Sequence, residues 1–266
     1  MLAHLPRVLA LLMLLFLAAC SRQAPSGEVI VAVAANFAQA IERLESDFEA
    51  ETGFELSIAT GSTGKIYAQI RNGAPYDIFL AADQARPALL EEEGEIVEGS
   101  RFTYATGTLV LFSPDEDRFF IEMGGQPTVT DNGADVLEAG DFRNLALANP
   151  DLAPYGAAAM QVIEALGLAE TLEPTIVRGE NVGQALALIT SGNAELGFVA
   201  LSQVASPVSP LEGSYWTPSA ELYDPIRQDA VLLKNGETKE AAQKFMDYLK
   251  SPAARATIAT YGYEAG

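Results

Sequence analysis

Two short polar turns hold the side chains of this 266-residue sequence that could bind a ligand. Asn36 follows the apolar run 29–35, and the pair Ser62 and Thr63 comes shortly after the predicted strand 54–59. Each turn lies where a predicted strand ends and a helix begins, so the first N–H groups of the helix lack acceptors and its dipole favours negative charge. Because amide and hydroxyl groups add uncharged donors there, the two turns indicate an anion site. Simple helix capping is the alternative, since Asn, Ser and Thr are common caps.

The second turn also matches a different chemistry. Ser62 and Lys65 fit the Ser-x-x-Lys motif of serine acyl-enzymes such as the penicillin-binding proteins. Partial matches to the other two motifs of that class follow at 191–193 and 234–236, but the last lacks its hydroxyl residue. The turn is not a phosphate-binding P-loop, because it lacks the first glycine and has no Ser or Thr after its lysine. A serine acyl-enzyme is therefore an alternative to anion binding.

The composition excludes several kinds of site. The single His is His4 and the single Cys is Cys20, so the chain after residue 20 has no imidazole base, thiol nucleophile or disulfide. With 36 acidic and 16 basic residues the formal charge is −20, which opposes binding to nucleic acid because that requires a basic surface. Asp77 and Asp83 flank a predicted strand and could bind a metal, but we expect them to cap helices and stabilise turns.

The N-terminal residues have the pattern of an export signal. Arg7 is followed by an apolar run over 8–19, too short to cross a bilayer as a helix, and then by Cys20. The ending Leu-Ala-Ala-Cys resembles a bacterial lipoprotein box, in which the cysteine is lipidated and becomes the mature N-terminus. We therefore predict a lipoprotein signal peptide over 1–19, lipidation of Cys20 and a polar tether over 20–28. An ordinary signal peptide is the alternative.

The rest of the chain alternates between apolar runs and helical periodicity. Runs of small and β-branched residues predict buried strands, and the apolar residues that follow them at helical spacing complete the α/β pattern of a parallel sheet. Gly107 precedes a further strand, and we place a crossing between two lobes there. The sequence thus predicts two α/β lobes, each a mostly parallel sheet flanked by helices. Lobe 1 comprises 29–107 and 229–266, and lobe 2 comprises 108–228.

Two further polar positions lie in the predicted second lobe. Tyr155 stands between Pro154 and Gly156 on a turn before a helix, where its side chain could either pack or donate its hydroxyl. The residues alone do not choose between these roles. Asn181 is placed to cap the helix that starts at Val182.

Taken together, these segments resemble the periplasmic molybdate-binding proteins of ABC importers. The similarity runs in order from about Val29 to Tyr263 with fitting spacing. The segments that carry it are VAVAANF at 31–37, GSTGK at 61–65, GAPYDIF at 73–79, AAD at 81–83, PYG at 154–156, ENV at 180–182 and LGFVAL at 196–201.

The resemblance implies a hinged, two-lobed periplasmic-binding-protein fold of type II that closes on molybdate or tungstate and delivers it to an ABC permease with its ATPase. It implies no catalysis, no cofactor and no direct protein ligand to the metal, because hydroxyl, amide and backbone N–H groups hold the anion. Some members have Tyr at the position of Ala200, so here the tyrosine role is assigned to Tyr155. The anion-binding residues that the resemblance implies are Asn36, Ala35, Thr63, Ser62, Tyr155 and Val182 through its backbone.

Other ligands and roles are kept as alternatives. A receptor for sulfate, phosphate or another oxyanion would share the fold, and an adhesive lipoprotein without a small ligand would share the leader. A site with donors only favours a fully deprotonated dianion over protonated phosphate, and sulfate must then be excluded by the width of the cavity. We expect a monomer that contacts the membrane only through its lipid.

Overall fold

The computed structural model describes residues 28–118, 120–123, 126–129 and 133–266. The predicted signal peptide over 1–19, the lipidation site Cys20 and the predicted tether up to residue 27 lie outside the described residues. Within the described ranges, none of the helices has the length and apolar character needed to span a membrane.

Eleven of the thirteen strands in the described residues form two large sheets, and β6 and β7 pair as a separate hairpin. In chain order the strands are β1 (Val29–Ala34), β2 (Leu56–Gly61), β3 (Ile78–Leu80), β4 (Phe102–Gly107), β5 (Leu109–Ser113), β6 (Phe120–Met123), β7 (Gln126–Val129), β8 (Leu145–Ala148), β9 (Ile176–Gly179), β10 (Leu196–Ala200), β11 (Ser214–Trp216), β12 (Ile226–Leu232) and β13 (Glu264–Ala265).

Helices flank both sheets. The described α-helices are α1 (Ala38–Thr52), α2 (Thr63–Arg71), α3 (Ala85–Glu92), α4 (Gly133–Ala139), α5 (Pro154–Ala165), α6 (Ala169–Leu172), α7 (Val182–Thr190), α8 (Leu201–Val204), α9 (Glu240–Leu249) and α10 (Pro252–Thr260). Single 3₁₀ turns lie at Ala35–Phe37, Glu173–Thr175 and Lys234–Gly236.

The first sheet has the strand order β13-β4-β12-β3-β1-β2 and the second has the order β11-β5-β10-β8-β9. We call the first sheet with its helices lobe 1 and the second lobe 2. The α/β class and the two-lobed type II fold are therefore confirmed. The sheets are mixed rather than mostly parallel, because β12 pairs antiparallel with β3 and β4, and β5 pairs antiparallel with β10 and β11. Within lobe 1, β12 runs opposite to β1 and β2. Within lobe 2, β5 runs opposite to β8, β9 and β10.

The chain crosses between the lobes twice. Only Thr108 separates β4 from β5, and residues 217–225 separate β11 from β12. The sequence does not predict β4, because polar Thr103 and Thr106 interrupt its apolar pattern. Strand β12 begins at Ile226, three residues before residue 229, where the sequence predicts the return to lobe 1. The division of the chain into lobes at 108 and 229 stays a prediction.

The core of lobe 1 has two layers, one on each face of its sheet. Val31 and Val33 of β1 pack in the same apolar cluster as Leu44 of α1, whereas Ala32 packs in a second cluster with Ile66 of α2. This alternation follows from the two-residue period of a strand. Because helices cover both faces, β1 and β2 can present only their carboxyl ends to the cleft.

Candidate functional site

A small cavity lies between the lobes, at the carboxyl ends of β1 and β2 and at the N-termini of α5 and α7. The space between its lining residues, counted out to its open mouth, is about 200 Å³. The cavity brings together all of the residues for which the resemblance implies a role in binding: Ala35, Asn36, Ser62, Thr63, Tyr155 and Val182. Lobe 1 supplies the first four and lobe 2 supplies the last two.

The cavity is lined mostly by buried residues and carries no charge. Asn36 is 3 % exposed, Thr63 1 % and Tyr155 2 %, so the site is shielded from bulk water. None of the described residues that line it is acidic or basic. Any ion inside must therefore interact with hydroxyl, amide and backbone groups.

Thr63 presents a hydroxyl with its hydrogen free. It is the first residue of α2, so its N–H group has no acceptor within the helix. Its Oγ1 accepts a hydrogen bond from the N–H of Ala82 at 3.1 Å. Because a hydroxyl has one hydrogen and can accept at the same time, that hydrogen remains available to the cavity.

Ser62 is buried without a partner. It occupies the N-cap position of α2, yet its side chain makes no capping hydrogen bond. Its Oγ is buried and has no hydrogen-bond partner among the described residues. Since buried hydroxyls are nearly always paired, this one points to a ligand in the cavity. Simple capping therefore does not account for the second turn.

Asn36 differs from the expectation that its amide donates to the anion. Its Nδ2 donates to Oε1 of Gln228 at 2.9 Å and to Oη of Tyr263 at 3.1 Å. Both amide hydrogens are thus used inside lobe 1, because the side chain faces a buried polar group on β12. The donor that Asn36 keeps for the cavity is its backbone N–H in the 3₁₀ turn after β1.

Tyr155 has a hydroxyl held at the crossing between the lobes. Its Oη lies 3.5 Å from Nε2 of Gln228, at the outer limit of a hydrogen bond. A Cβ atom on Gly107 would overlap this hydroxyl, so only glycine permits its position. Burial raises the pKa of Tyr155 well above its usual value near 10, and the hydroxyl stays neutral and able to donate. The structure thus places the Tyr155 hydroxyl at the cavity, a role that the sequence alone leaves open.

Val182 and Ala35 contribute backbone atoms to the lining of the cavity. Val182 is the first residue of α7, whose N-cap Asn181 accepts a hydrogen bond from the N–H of Gln184 at 3.0 Å, as predicted. The N–H of Val182 has no acceptor within the helix. A Cβ atom on Gly183 would lie 3.8 Å from Cβ of Ala35, so the backbones of the two lobes come close together at this point.

Direct contacts hold the lobes together around the cavity. The N–H of Gly64 donates to the carbonyl of Leu152 at 2.9 Å. Lys65 Nζ pairs with Glu180 Oε1 at 2.9 Å, and Ser202 Oγ donates to the carbonyl of Asn36 at 2.9 Å. The structure is therefore the closed form of a two-lobed protein.

The geometry does not favour the serine acyl-enzyme. Lys65 is half exposed and pairs with Glu180, whereas Ser62 Oγ has no hydrogen bond to any described group. A nucleophilic serine needs a base within hydrogen-bond reach. Ser62 therefore has no activating base in this arrangement.

The two aspartates considered as metal ligands have structural partners. Asp77 is fully buried and accepts from Lys239 Nζ at 2.7 Å and from the N–H of Ile30 at 2.8 Å. Asp83 accepts from the N–H of Arg86 at 3.0 Å and pairs with its guanidinium group. In the described parts of the chain, no three His, Cys, Asp or Glu side chains cluster as a metal site would require.

The sequence reasoning missed a buried polar network behind the cavity. Gln228 contacts Asn36 and Tyr155, and Tyr263 Oη donates to the Asn36 carbonyl at 2.7 Å and lies 3.0 Å from Ser202 Oγ. Burial raises the pKa of Tyr263 far above its usual value, and hydrogen bonds with Ser202, Asn36 and Tyr155 offset only part of that rise. A signal was present in the sequence: the polar stretch Arg227, Gln228 and Asp229 leads directly into the apolar end of β12.

Comparisons with known proteins agree with this architecture. A family model described as bacterial extracellular solute-binding protein matches residues 29–264. The molybdate-binding protein ModA of Azotobacter vinelandii is 48 % identical over 247 residues, 93 % of each chain. ModA of Rhodobacter capsulatus is 46 % identical over 90 % of this chain and 89 % of its own.

A solved structure supports the same assignment. The Azotobacter vinelandii periplasmic molybdate-binding protein superimposes with a TM-score of 0.81 and 40 % identity, over 90 % of this chain and 99 % of the other. Similarity in sequence and in fold therefore extends over both lobes. This chain belongs to the bacterial extracellular solute-binding proteins, in the family that includes the molybdate-binding protein ModA.

Proposed function

We propose that this protein captures molybdate or tungstate outside the cytoplasm and delivers it to an ABC importer. The observation that carries the proposal is the uncharged cavity, in which buried hydroxyl and N–H groups from two lobes converge on a small space. The relatives named as molybdate-binding proteins support the choice of ligand.

The site binds the anion with donors alone. The hydroxyl groups of Thr63, Tyr155 and Ser62 have hydrogens that no described acceptor requires, and the N–H groups of Asn36 and Val182 point from helix starts. Such fixed donors replace the water that an enclosed ion loses. They do so without placing a counter-charge in a low-dielectric site, where the energy gained from pairing is uncertain.

The arrangement of donors also favours one protonation state of the ion, the fully deprotonated one. A protonated oxyanion, such as hydrogen phosphate, would need an acceptor for its own hydrogen. None of the lining side chains is a carboxylate. A fully deprotonated dianion has no hydrogen of its own that would face these donors. The site therefore discriminates against phosphate, which is protonated at neutral pH.

Closure links binding to delivery. The anion contacts both lobes, so it stabilises the closed form more than an open one. The cross-lobe bond from Gly64 to Leu152 and the ion pair of Lys65 with Glu180 form in the same state. The ABC importer, a permease with its ATPase, receives the ion from this closed form. The protein acts as a monomer attached through a lipid on Cys20, requires no cofactor and performs no catalysis.

A panel of oxyanions tests the proposal. Molybdate, tungstate, sulfate and phosphate are each added to the purified protein, and the melting temperature is followed. At one hundred times its Kd a ligand stabilises the folded state by about 2.7 kcal/mol, a rise on the order of 5–10 °C for a chain of this size. We expect this rise with molybdate and tungstate only. An equal rise with sulfate or phosphate would assign the protein to another oxyanion.

A further inference from the structure

Behind the anion cavity lies a single buried amide that contacts both lobes. Gln228, on β12, has no solvent exposure. Its Oε1 accepts from Asn36 Nδ2 at 2.9 Å and from Tyr104 Oη at 3.0 Å. Its Nε2 lies 3.5 Å from Tyr155 Oη in lobe 2. One side chain thus joins the turn after β1 to the tyrosine of the opposite lobe.

From this arrangement we propose that Gln228 is a positioning residue for the anion site, which fixes the direction in which the Tyr155 hydroxyl donates. The inference rests on the proposed function, because it assigns Tyr155 as a donor to the bound anion. Gln228 itself does not line the cavity, and it acts through its neighbours.

The polarity of the amide gives the physical reason. Asn36 Nδ2, which can only donate, meets one end of Gln228, so that end is the carbonyl oxygen; the Tyr104 hydroxyl divides its single hydrogen between that oxygen and the carbonyl of Ala81. The NH₂ end therefore faces Tyr155. Because Nε2 can only donate, the Tyr155 oxygen is the acceptor in that contact and its own hydrogen must point elsewhere. The cavity, which Tyr155 lines, is open to that hydrogen, with the Tyr263 hydroxyl as a competing acceptor.

The Tyr155 hydroxyl and the Gln228 amide meet at the crossing between the lobes. A Cβ atom on Gly107 would overlap the Tyr155 hydroxyl and would lie 2.6 Å from Gln228 Nε2. Both groups therefore pack on the bare Cα of Gly107, the last residue of β4 before the crossing. The contact lies where the lobes meet, so it forms part of the closed state.

Replacing the donor that faces Tyr155 by an acceptor should weaken anion binding. In Gln228→Glu the group that faces Tyr155 becomes an acceptor, which takes the tyrosine hydrogen and turns a lone pair towards the anion. The donors Asn36 and Tyr104 keep their acceptor oxygen, so the network that holds β12 stays intact. We expect molybdate to bind this variant at least about tenfold more weakly, because the anion loses one hydrogen bond and the new buried carboxylate repels it.

A double-mutant cycle separates positioning from a general structural role. The Kd for molybdate is measured by calorimetry for the wild type, Gln228→Met, Tyr155→Phe and the double variant, with the melting temperature of each ligand-free protein. We expect Gln228→Met to weaken binding about tenfold in the wild-type background and less than about threefold when Tyr155 is Phe. Equal losses in both backgrounds would overturn the proposal, because Gln228 would then act independently of Tyr155.

A matched control and a second variant complete the test. Ser100→Ala removes the hydrogen bond that the N–H of Leu232, at the other end of β12, donates to Ser100 Oγ, and it should leave the Kd unchanged. An equal loss in this control would show that any disturbance of β12 weakens binding, and it would overturn the proposal. If Gln228→Met fails to fold, Gln228→Glu decides, and binding within twofold of wild type would refute the inference. A wild type that binds neither molybdate nor tungstate would instead refute the proposed function.

Discussion

Replacing Thr63 by Val removes one hydroxyl and keeps the shape of the side chain. In the folded protein that hydroxyl accepts the N–H of Ala82 at 3.1 Å and keeps its hydrogen for the cavity. The loss of a hydrogen bond to a charged ligand costs about 1.5–3 kcal/mol, which corresponds to a Kd raised about 10- to 150-fold. Isothermal titration with molybdate measures this change directly.

The same substitution has a second, separable effect. The N–H of Ala82 loses its acceptor with or without ligand, so the free energy of unfolding should fall by about 1–3 kcal/mol. Thermal melts of the ligand-free variant measure that loss independently of affinity. Thr260→Val is the control, since that hydroxyl bonds only to the carbonyl of Thr257 at the exposed end of α10. A Kd for Thr63→Val within twofold of wild type would refute the assignment of this hydroxyl as an anion donor.

Two further predictions concern closure and pH. In Gly64→Ala the new Cβ would lie 3.1 Å from backbone atoms of the opposite lobe. We therefore expect calorimetry to show several-fold weaker binding, with little change in the ligand-free melting temperature. An unchanged Kd would contradict this. Burial raises the pKa values of Tyr104, Tyr155 and Tyr263, so the folded protein keeps protons that the unfolded chain releases above about pH 10. The free energy of unfolding should then fall as the pH rises beyond 10, by up to about 1.4 kcal/mol per pH unit for each tyrosine. Denaturant titrations should show a shallower fall for Tyr155→Phe, and an equal slope would count against these shifts.

The position of the site was predictable from the sequence because it depends on local patterns. An apolar run marks β1 and the segment 54–59 predicts β2, and the polar residues that follow a strand lie at its carboxyl end. That rule places Asn36 and Thr63 at one edge of a sheet without any knowledge of the other lobe. The helix start at Val182 is equally local, since Asn181 caps it.

The chemistry of individual side chains was less predictable, because it depends on distant partners. Asn36 uses its amide hydrogens on Gln228 and Tyr263, which lie 192 and 227 residues away in sequence. No local pattern shows such pairings, so the sequence alone could not reveal that both amide hydrogens of Asn36 have partners within the protein. Strand direction has the same limit, because β5 and β12 run antiparallel only as a result of the chain crossing between the lobes.

The strand order has a consequence for how the protein acquires its structure. Strand β12 lies between β3 and β4, and β13 pairs with the other side of β4, so both ends of the chain are needed to complete the first sheet. The strands of the second sheet come from the continuous stretch 109–216. We therefore expect lobe 2 to fold while the polypeptide is still incomplete, whereas lobe 1 waits for the last forty residues. A truncated chain should accordingly be half folded rather than uniformly destabilised.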